Sequence, residues 1–256
     1  MKAAGRVVTG AEYVSAITAS ESDRRYRREF QRLALELTTR GKSVFDFGCG
    51  PGIDARFYAE HGLIVSAYDI DARMCEYLAG YCRDFIATAA VTLHGGGYRE
   101  FLASAAPADG ARVELVTSNF APLNLVDDLR ELFAKFAALT SPTGAVLASV
   151  LSPYYVGDLR YLWWWRNLGR LLTEGRYAVR GAQALIWRRR LADFALQCAP
   201  HFHLEEVFPG NHTSVRAGAR GAWVQLTTCR FMFLLFRKAD LPVEGSAGQP
   251  RAARPA

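Results

Sequence analysis

Cysteine pairs and long apolar runs are what this chain most plainly lacks. Its five cysteines, Cys49, Cys75, Cys82, Cys198 and Cys229, are odd in number, scattered, and form no C-x-x-C pair. That pattern supports neither a disulfide framework nor a zinc site and leaves reduced thiols. No stretch approaches the ~20 apolar residues of a membrane span, and the opening MKAAGRVVTGAEYV has no apolar centre of the kind a secretory signal needs. A cytoplasmic location without a membrane partner is the expectation. Metal assistance would need carboxylates converging at the C-terminal rim of the sheet, and the Asp127-Asp128 pair lies instead at the start of an amphipathic stretch, so no metal is expected.

What is present suits one large folded unit. The 256 residues are 50% hydrophobic and 22% charged, with a net charge of +6. The excess of arginine leaves room for an acidic partner. The two basic clusters, Arg24, Arg25, Arg27, Arg28 and Arg188, Arg189, Arg190, read as solvated helix faces. Residues 11–40, with Tyr13, Ile17, Tyr26, Phe30, Leu33 and Leu37 at roughly helical spacing, predict one or two helices ahead of the first strand.

From Ser43 a β-α-β rhythm sets in. It predicts strands at 43–48, 63–68, 89–94, 113–117 and 145–151, helices at 54–61, 71–83 and 127–139, and a turn at Pro142-Thr143-Gly144. The rhythm breaks over 152–190, rich in aromatics and arginine, and an insert of that length predicts a lid. A helix over 188–198 and two strands, 203–208 and 227–236, predict an antiparallel edge pair. The Pro-, Gly- and Ala-rich 239–256 reads as a disordered tail.

The most informative segment is Val44 to Gly52, V-F-D-F-G-C-G-P-G. A short apolar strand ends in a glycine-punctuated loop that exposes backbone N–H groups to a ligand. A nicotinamide fingerprint would put its third glycine at position 53, where the chain has Ile53, so hydride transfer is disfavoured. At the tip of the second strand stands Asp69, placed to accept both ribose hydroxyls of an adenosine. Asp71 reads as the cap of the helix that follows.

D-F-G-C-G-P-G followed by A-x-x-G-x-x-V-x-A-Y-D-I-D-x-x-M resembles the class I S-adenosylmethionine-dependent methyltransferases. The resemblance covers residues 40–150 and extends to T-S-N-F-A-P-L-N after the fourth strand. It implies a doubly wound, mostly parallel, Rossmann-like α/β sheet of seven strands, with an antiparallel C-terminal edge strand and a helical lid. The expected organisation is a helical cap over 1–40, a methyltransferase domain over 41–238 with its lid at 152–190, and the tail. The family pattern also implies that Asp46 and the backbone of Gly48, Gly50 and Gly52 hold the methionine end of S-adenosylmethionine, that Asp69 binds the ribose, and that Ile70 packs on adenine. Ser118 and Asn119 with Phe120 would line the wall near the sulfonium. An acid that many members carry after the third strand is replaced here by His94-Gly95-Gly96-Gly97-Tyr98, so the adenine amino contact falls to backbone carbonyls or Glu100.

A sulfonium is already an activated leaving group, so transfer needs mainly alignment and exclusion of water. For a hydroxyl acceptor the candidate bases are His94, His201, His203 and His212, with His94, His203 and Asn119 as the catalytic candidates. Tyr154, Tyr155, Trp163 and Trp164 are the candidate substrate wall, with Trp165 and Tyr161 beside them, and Arg160, Arg166 and Arg170 are candidates for an acidic group on the acceptor. The expected acceptor is a small aromatic or hydrophobic metabolite, taking the methyl group on oxygen or nitrogen. The alternatives are a group borne by an acidic carrier protein and a cofactor-binding homologue that transfers no methyl group. N-F-A-P departs from the N-P-P-Y type motif that grips nucleic-acid amines, and no RNA-reading motif appears, so a nucleic-acid partner is disfavoured.

Overall fold

Ser20 opens the first described helix by accepting a 3.2 Å hydrogen bond from the Asp23 amide, the side-chain cap that satisfies an otherwise orphaned helix donor. The structure is a computed structural model and describes residues 14–15, 19–105, 112–180, 185–209, 215–216 and 227–239. The expectations for Tyr13, Ile17, His212 and residues 240–256 lie outside those residues.

In chain order the elements are α1 (Glu21–Glu36), β1 (Ser43–Phe47), α2 (Ile53–Glu60), β2 (Ile64–Tyr68), α3 (Ala72–Tyr81), α4 (Arg83–Ala87), β3 (Val91–His94), α5 (Tyr98–Ala103) and β4 (Val113–Ser118). A 3-10 turn over Pro122–Leu125 leads to α6 (Leu129–Leu139) and β5 (Thr140–Leu151). The insert then forms a 3-10 turn (Val156–Asp158), α7 (Leu162–Thr173) and a hairpin of β6 (Arg176–Arg180) and β7 (Leu185–Arg189). The chain continues as α8 (Leu191–Cys198), β8 (Phe202–Pro209), β9 (Val215–Arg216) and β10 (Phe231–Lys238).

Seven strands form one sheet in the order β3-β2-β1-β4-β5-β10-β8, and the two-residue β9 pairs outside β8. β3, β2, β1, β4 and β5 run parallel, while β10 is antiparallel to both β5 and β8. This is the expected doubly wound sheet with its antiparallel C-terminal strand, which lies one place inside β8. Alternation along β1 sends Phe45 and Phe47 to one face and Val44 to the other, as a two-fold side-chain period requires. One layer packs Phe101, Leu132, Phe133, Phe136 and Phe194 on the sheet. The other packs Phe30, Leu33, Ala55, Tyr58 and Leu78. Helices after β1 and after β4 thus cover opposite faces, and the crevice between those strands is the switch point where α/β sheets bind ligands.

The structure departs from the predicted elements at several points, the short helices α4 and α5 among them. β5 begins at Thr140, running through the predicted turn at 142–144, and its pairing with β4 jumps from Val113↔Thr140 to Leu115↔Ala145 to accommodate the extra residues. β10 begins at Phe231, four residues later than expected. The lid is helical only in its first half. Arg188 and Arg189 are buried in β7 rather than opening a solvated helix.

Candidate functional site

The glycine loop divides its glycines by task. All three carry positive φ, but a Cβ on Gly48 would stand 2.5 Å from Pro122 Cγ and one on Gly52 would stand 2.5 Å from Leu78 Cγ. Those two positions let α2, α3 and the turn after β4 close on the loop. Gly50 has nothing within 4 Å of its missing side chain, so it opens the backbone toward the crevice. Its N–H donates to Asp69 Oδ2 at 2.8 Å, and the Asp71 N–H donates to Asp69 Oδ1 at 2.8 Å. Asp69 therefore stands at the loop mouth as expected. Burial raises its pKa, opposed by those two amides. Asp71 caps α3, accepting from the Arg73 amide at 3.0 Å. Ile70, beside Asp69, is 63% exposed, open to a ring that would stack on it.

Behind the loop lies a cluster of carboxylates. Asp46 is buried, and its Oδ1 accepts from the Thr117 hydroxyl at 3.0 Å. Its Oδ2 finds no partner among the described residues. Burial first, and then the charge of Asp54, push the Asp46 carboxyl up to about 8. Asp54 Oδ2 accepts from Arg27 Nη1 at 2.5 Å and from Asn119 Nδ2 at 3.1 Å, and its Oδ1 accepts from Gln31 Nε2 at 2.7 Å. Arg27 also lies over the Phe120 ring, 4.6 Å from its centroid. Ser118 Oγ is a second buried polar atom without a partner. An orphaned carboxylate oxygen, an orphaned hydroxyl and one guanidinium at a switch-point crevice suit a ligand carrying ammonium, sulfonium and carboxylate groups.

Arg27, Gln31 and Asp54 did not stand out in the sequence. Arg27 belongs to a basic cluster whose other members, Arg24, Arg25 and Arg28, are exposed as expected. The signal was there in the spacing, since Arg27 and Gln31 are four apart and share one helix face.

Beyond the end of β4 an aromatic rim begins. Phe120 and Ala121 adopt positive φ, and Phe120 meets Phe231 edge-on at 5.5 Å. Tyr26 of α1 meets Phe231 at 5.6 Å. Burial raises the pKa of the Tyr26 phenol. The lid is anchored here: Asn124 Nδ2 donates to the Trp187 carbonyl at 2.5 Å while its Oδ1 accepts from the Leu151 amide at 3.0 Å. Arg189 donates to the carbonyls of Val126 and Asp127 at 2.5 and 2.6 Å, and burial lowers its pKa to about 10. Within the lid, Trp163 stacks on Tyr161 and meets Tyr177. Arg188 pairs with Asp158 at 3.2 Å and donates to the Ser152 carbonyl at 2.8 Å. Trp164 donates to the Pro153 carbonyl at 3.1 Å. Tyr154 and Tyr155 are half-buried at the start of the insert.

Other predicted residues are not brought here. His203 opens β8 level with Arg237 and Ala145, at the rim opposite the glycine loop, and this corrects its candidacy as a base. His201 precedes it at the same end. His94 ends β3, with β2 and β1 between it and β4. It borders a cavity of about 500 Å³ shared with Phe45, Ser66, Tyr68 and Phe101, on the face away from α2, and so does not meet Asn119. Asn119 is buried and committed to Asp54 and to the Phe120 amide. Glu100 accepts from the Gly97 amide at 2.9 Å and caps α5. Arg160 lies over Tyr161 and Arg170 pairs with Glu174, both exposed. Trp165 faces outward.

A family model described as a methyltransferase domain matches residues 18–199. Malonyl-[acyl-carrier protein] O-methyltransferase from Enterobacter lignolyticus (strain SCF1) is 28% identical over 172 residues, 67% of this chain; the match spans 63% of that protein's length. Among solved structures, 1,6-didemethyltoxoflavin-N1-methyltransferase from Burkholderia thailandensis, with bound 1,6-didemethyltoxoflavin and S-adenosylhomocysteine, aligns at TM-score 0.58 and 17% identity, over 92% of this chain and 93% of that one. Magnesium protoporphyrin IX methyltransferase from Synechocystis PCC 6803, with bound S-adenosylhomocysteine, aligns at 0.56 and 16%, over 92% and 90%. At such identities the structural likeness is one of fold.

Proposed function

The chain belongs to the class I S-adenosylmethionine-dependent methyltransferases, and from that membership we propose that it transfers the methyl group of this cofactor to an oxygen or nitrogen of a small aromatic or hydrophobic metabolite. The observation that carries the site assignment is the meeting, at the β1–β4 crevice, of the open side of Gly50, the Asp69 carboxylate and the unpartnered Asp46 Oδ2. Asp69 takes the ribose hydroxyls, Ile70 the adenine, and Asp46 with the backbone of Gly48, Gly50 and Gly52 the methionine arm. Ser118 lines the wall beside them, and Asn119 holds that wall in place through Asp54.

When bound, S-adenosylmethionine supplies a methyl group on a sulfonium that leaves without further activation. The chain's own task is then to align the acceptor and exclude water. Tyr154, Tyr155, Trp163 and Trp164 wall the acceptor, and Phe120, Phe231 and Tyr26 close the rim next to β4. None of the described histidines stands at the ends of β4 and β5, which favours transfer by alignment over transfer by a dedicated base.

The test is incubation of the purified protein with deuteromethyl-labelled cofactor and metabolite extracts, read by mass spectrometry. A small molecule gains one labelled methyl group, and Asp69→Ala removes the product. Calorimetry that finds no cofactor binding to the unaltered protein would sink the site assignment, whereas binding without any labelled product would leave the site and sink the reaction. A second reading, a carboxylate borne by an acidic carrier protein, is favoured by the carrier-protein methyltransferase among the relatives and by the positive charge of the lid. Labelled product appearing only with loaded carrier would select it.

A further inference from the structure

The lid helix α7 is apolar on two sides. Its inner side packs on β6, with Leu171 buried and Trp163 against Tyr177. Its outer side carries Leu162, Trp165, Gly169 and Leu172, spaced i, i+3, i+7 and i+10, which is a single seam on a 3.6-residue helix. Leu162 is 62%, Trp165 55% and Leu172 65% exposed among the described residues. The Trp165 indole is fixed in that position by donating to the Leu159 carbonyl at 2.8 Å, and Leu159 and Tyr161 continue the apolar surface. A soluble helix normally pairs its apolar stripe with a polar outer face, so a second stripe facing outward points to a second apolar environment.

Charge narrows what that environment is. Residues 159–180 contain five arginines, Arg160, Arg166, Arg170, Arg176 and Arg180, against the single acid Glu174, and Arg160, Arg166, Arg170 and Arg180 are exposed. A second copy of the chain would bring two such arginine sets together and repel itself. The exposed apolar side chains sit on one helix and its preceding turn with exposed arginines beside them, a combination that suits a deformable apolar medium with negative headgroups. We infer that the lid is a peripheral docking face for an anionic lipid bilayer, with Leu162, Trp165 and Leu172 entering the headgroup boundary and Arg160 and Arg166 meeting the lipid phosphates. The expectation of no membrane partner rested on the lack of a spanning segment, and surface docking needs none. This inference stands apart from the methyl-transfer reading.

The test is sedimentation of the full chain, without cofactor, with vesicles of phosphatidylcholine alone and of phosphatidylcholine mixed with phosphatidylglycerol. Binding is expected to the mixed vesicles, weak or absent on phosphatidylcholine, and reduced by added salt. Replacing Arg160 and Arg166 by Ala weakens it by about fivefold per arginine. The pair Leu162→Glu and Trp165→Glu weakens it roughly tenfold or more, with circular dichroism and melting temperature confirming that the variants fold. Lack of wild-type binding to mixed vesicles at low salt would overturn the inference, as would undiminished binding by folded Leu162→Glu/Trp165→Glu. A purified acidic carrier protein, or a second copy, captured by this face in place of vesicles would overturn it too.

Discussion

At the residue scale, the three glycines of the loop are not equivalent, and single substitutions separate them. Gly50→Arg is expected to leave the fold intact, at a backbone cost of about 1–2 kcal/mol for positive φ, while filling the crevice and abolishing cofactor binding by calorimetry. Gly48→Ala and Gly52→Ala drive a Cβ into Pro122 or Leu78, so they lower the melting temperature and cost about 2 kcal/mol or more. Asp46 gives a pH signature. Its folded pKa of about 8 lies far above the ordinary carboxylate value of 3.8, so in the cofactor-free protein the folded state holds the proton more tightly than the unfolded chain does. The contribution to stability is fully present below about pH 4 and is lost as pH rises toward about 8. Asp46→Asn is expected to flatten that decline in denaturation curves measured across the range. A cationic ammonium beside Asp46 favours the carboxylate, so cofactor binding near pH 7 should release a proton, read by calorimetry in buffers of different ionisation enthalpy. Equal heats across buffers would contradict the placement of Asp46.

At the element scale, the lid is held both by buried polar stitches and by the apolar packing of Ile186 on the core. Arg189 is fully buried and bonds successive carbonyls at the turn after β4, with Asp193 3.4 Å from its Nε. Arg189→Met removes the donor from those part-buried carbonyls and from the Asp193 carboxylate, and is expected to destabilise the protein by roughly 1–3 kcal/mol, with faster proteolysis within 152–190. Arg189→Lys should not rescue it, because one ammonium cannot reproduce the planar fork of donors. The helix α1 is fixed to the site by Arg27 and Gln31 converging on Asp54. Helical spacing puts Arg27 and Gln31 on one face, but the neighbouring Arg24, Arg25 and Arg28 carry the same residue type into solvent and so mask the contact with Asp54. Hydrophobic periodicity placed α1, but it could not select which arginine turned inward.

For the whole molecule, a ligand that binds only the folded state stabilises it by mass action, by about 2.7 kcal/mol at a hundredfold excess over Kd. For a chain of this size that corresponds to a rise in melting temperature of roughly 5–10 °C. S-adenosylhomocysteine is expected to raise the melting temperature of the unaltered protein by that order and to leave Asp69→Ala unmoved. A comparable rise in Asp69→Ala would place the nucleoside elsewhere.

Alternating apolar residues, glycine punctuation and an acid at the tip of the second strand determined the sheet, the loop and Asp69, because each depends on neighbours a few residues away along the chain. Strand pairing and lid packing decided the rest. They carried His203 to the far rim, set β2 and β1 between His94 and Asn119, buried Arg188 and Arg189, and joined Arg27 to Asp54 across 27 positions. Those outcomes depend on which surfaces meet once the chain has folded, and residue order alone does not encode that meeting in any local pattern.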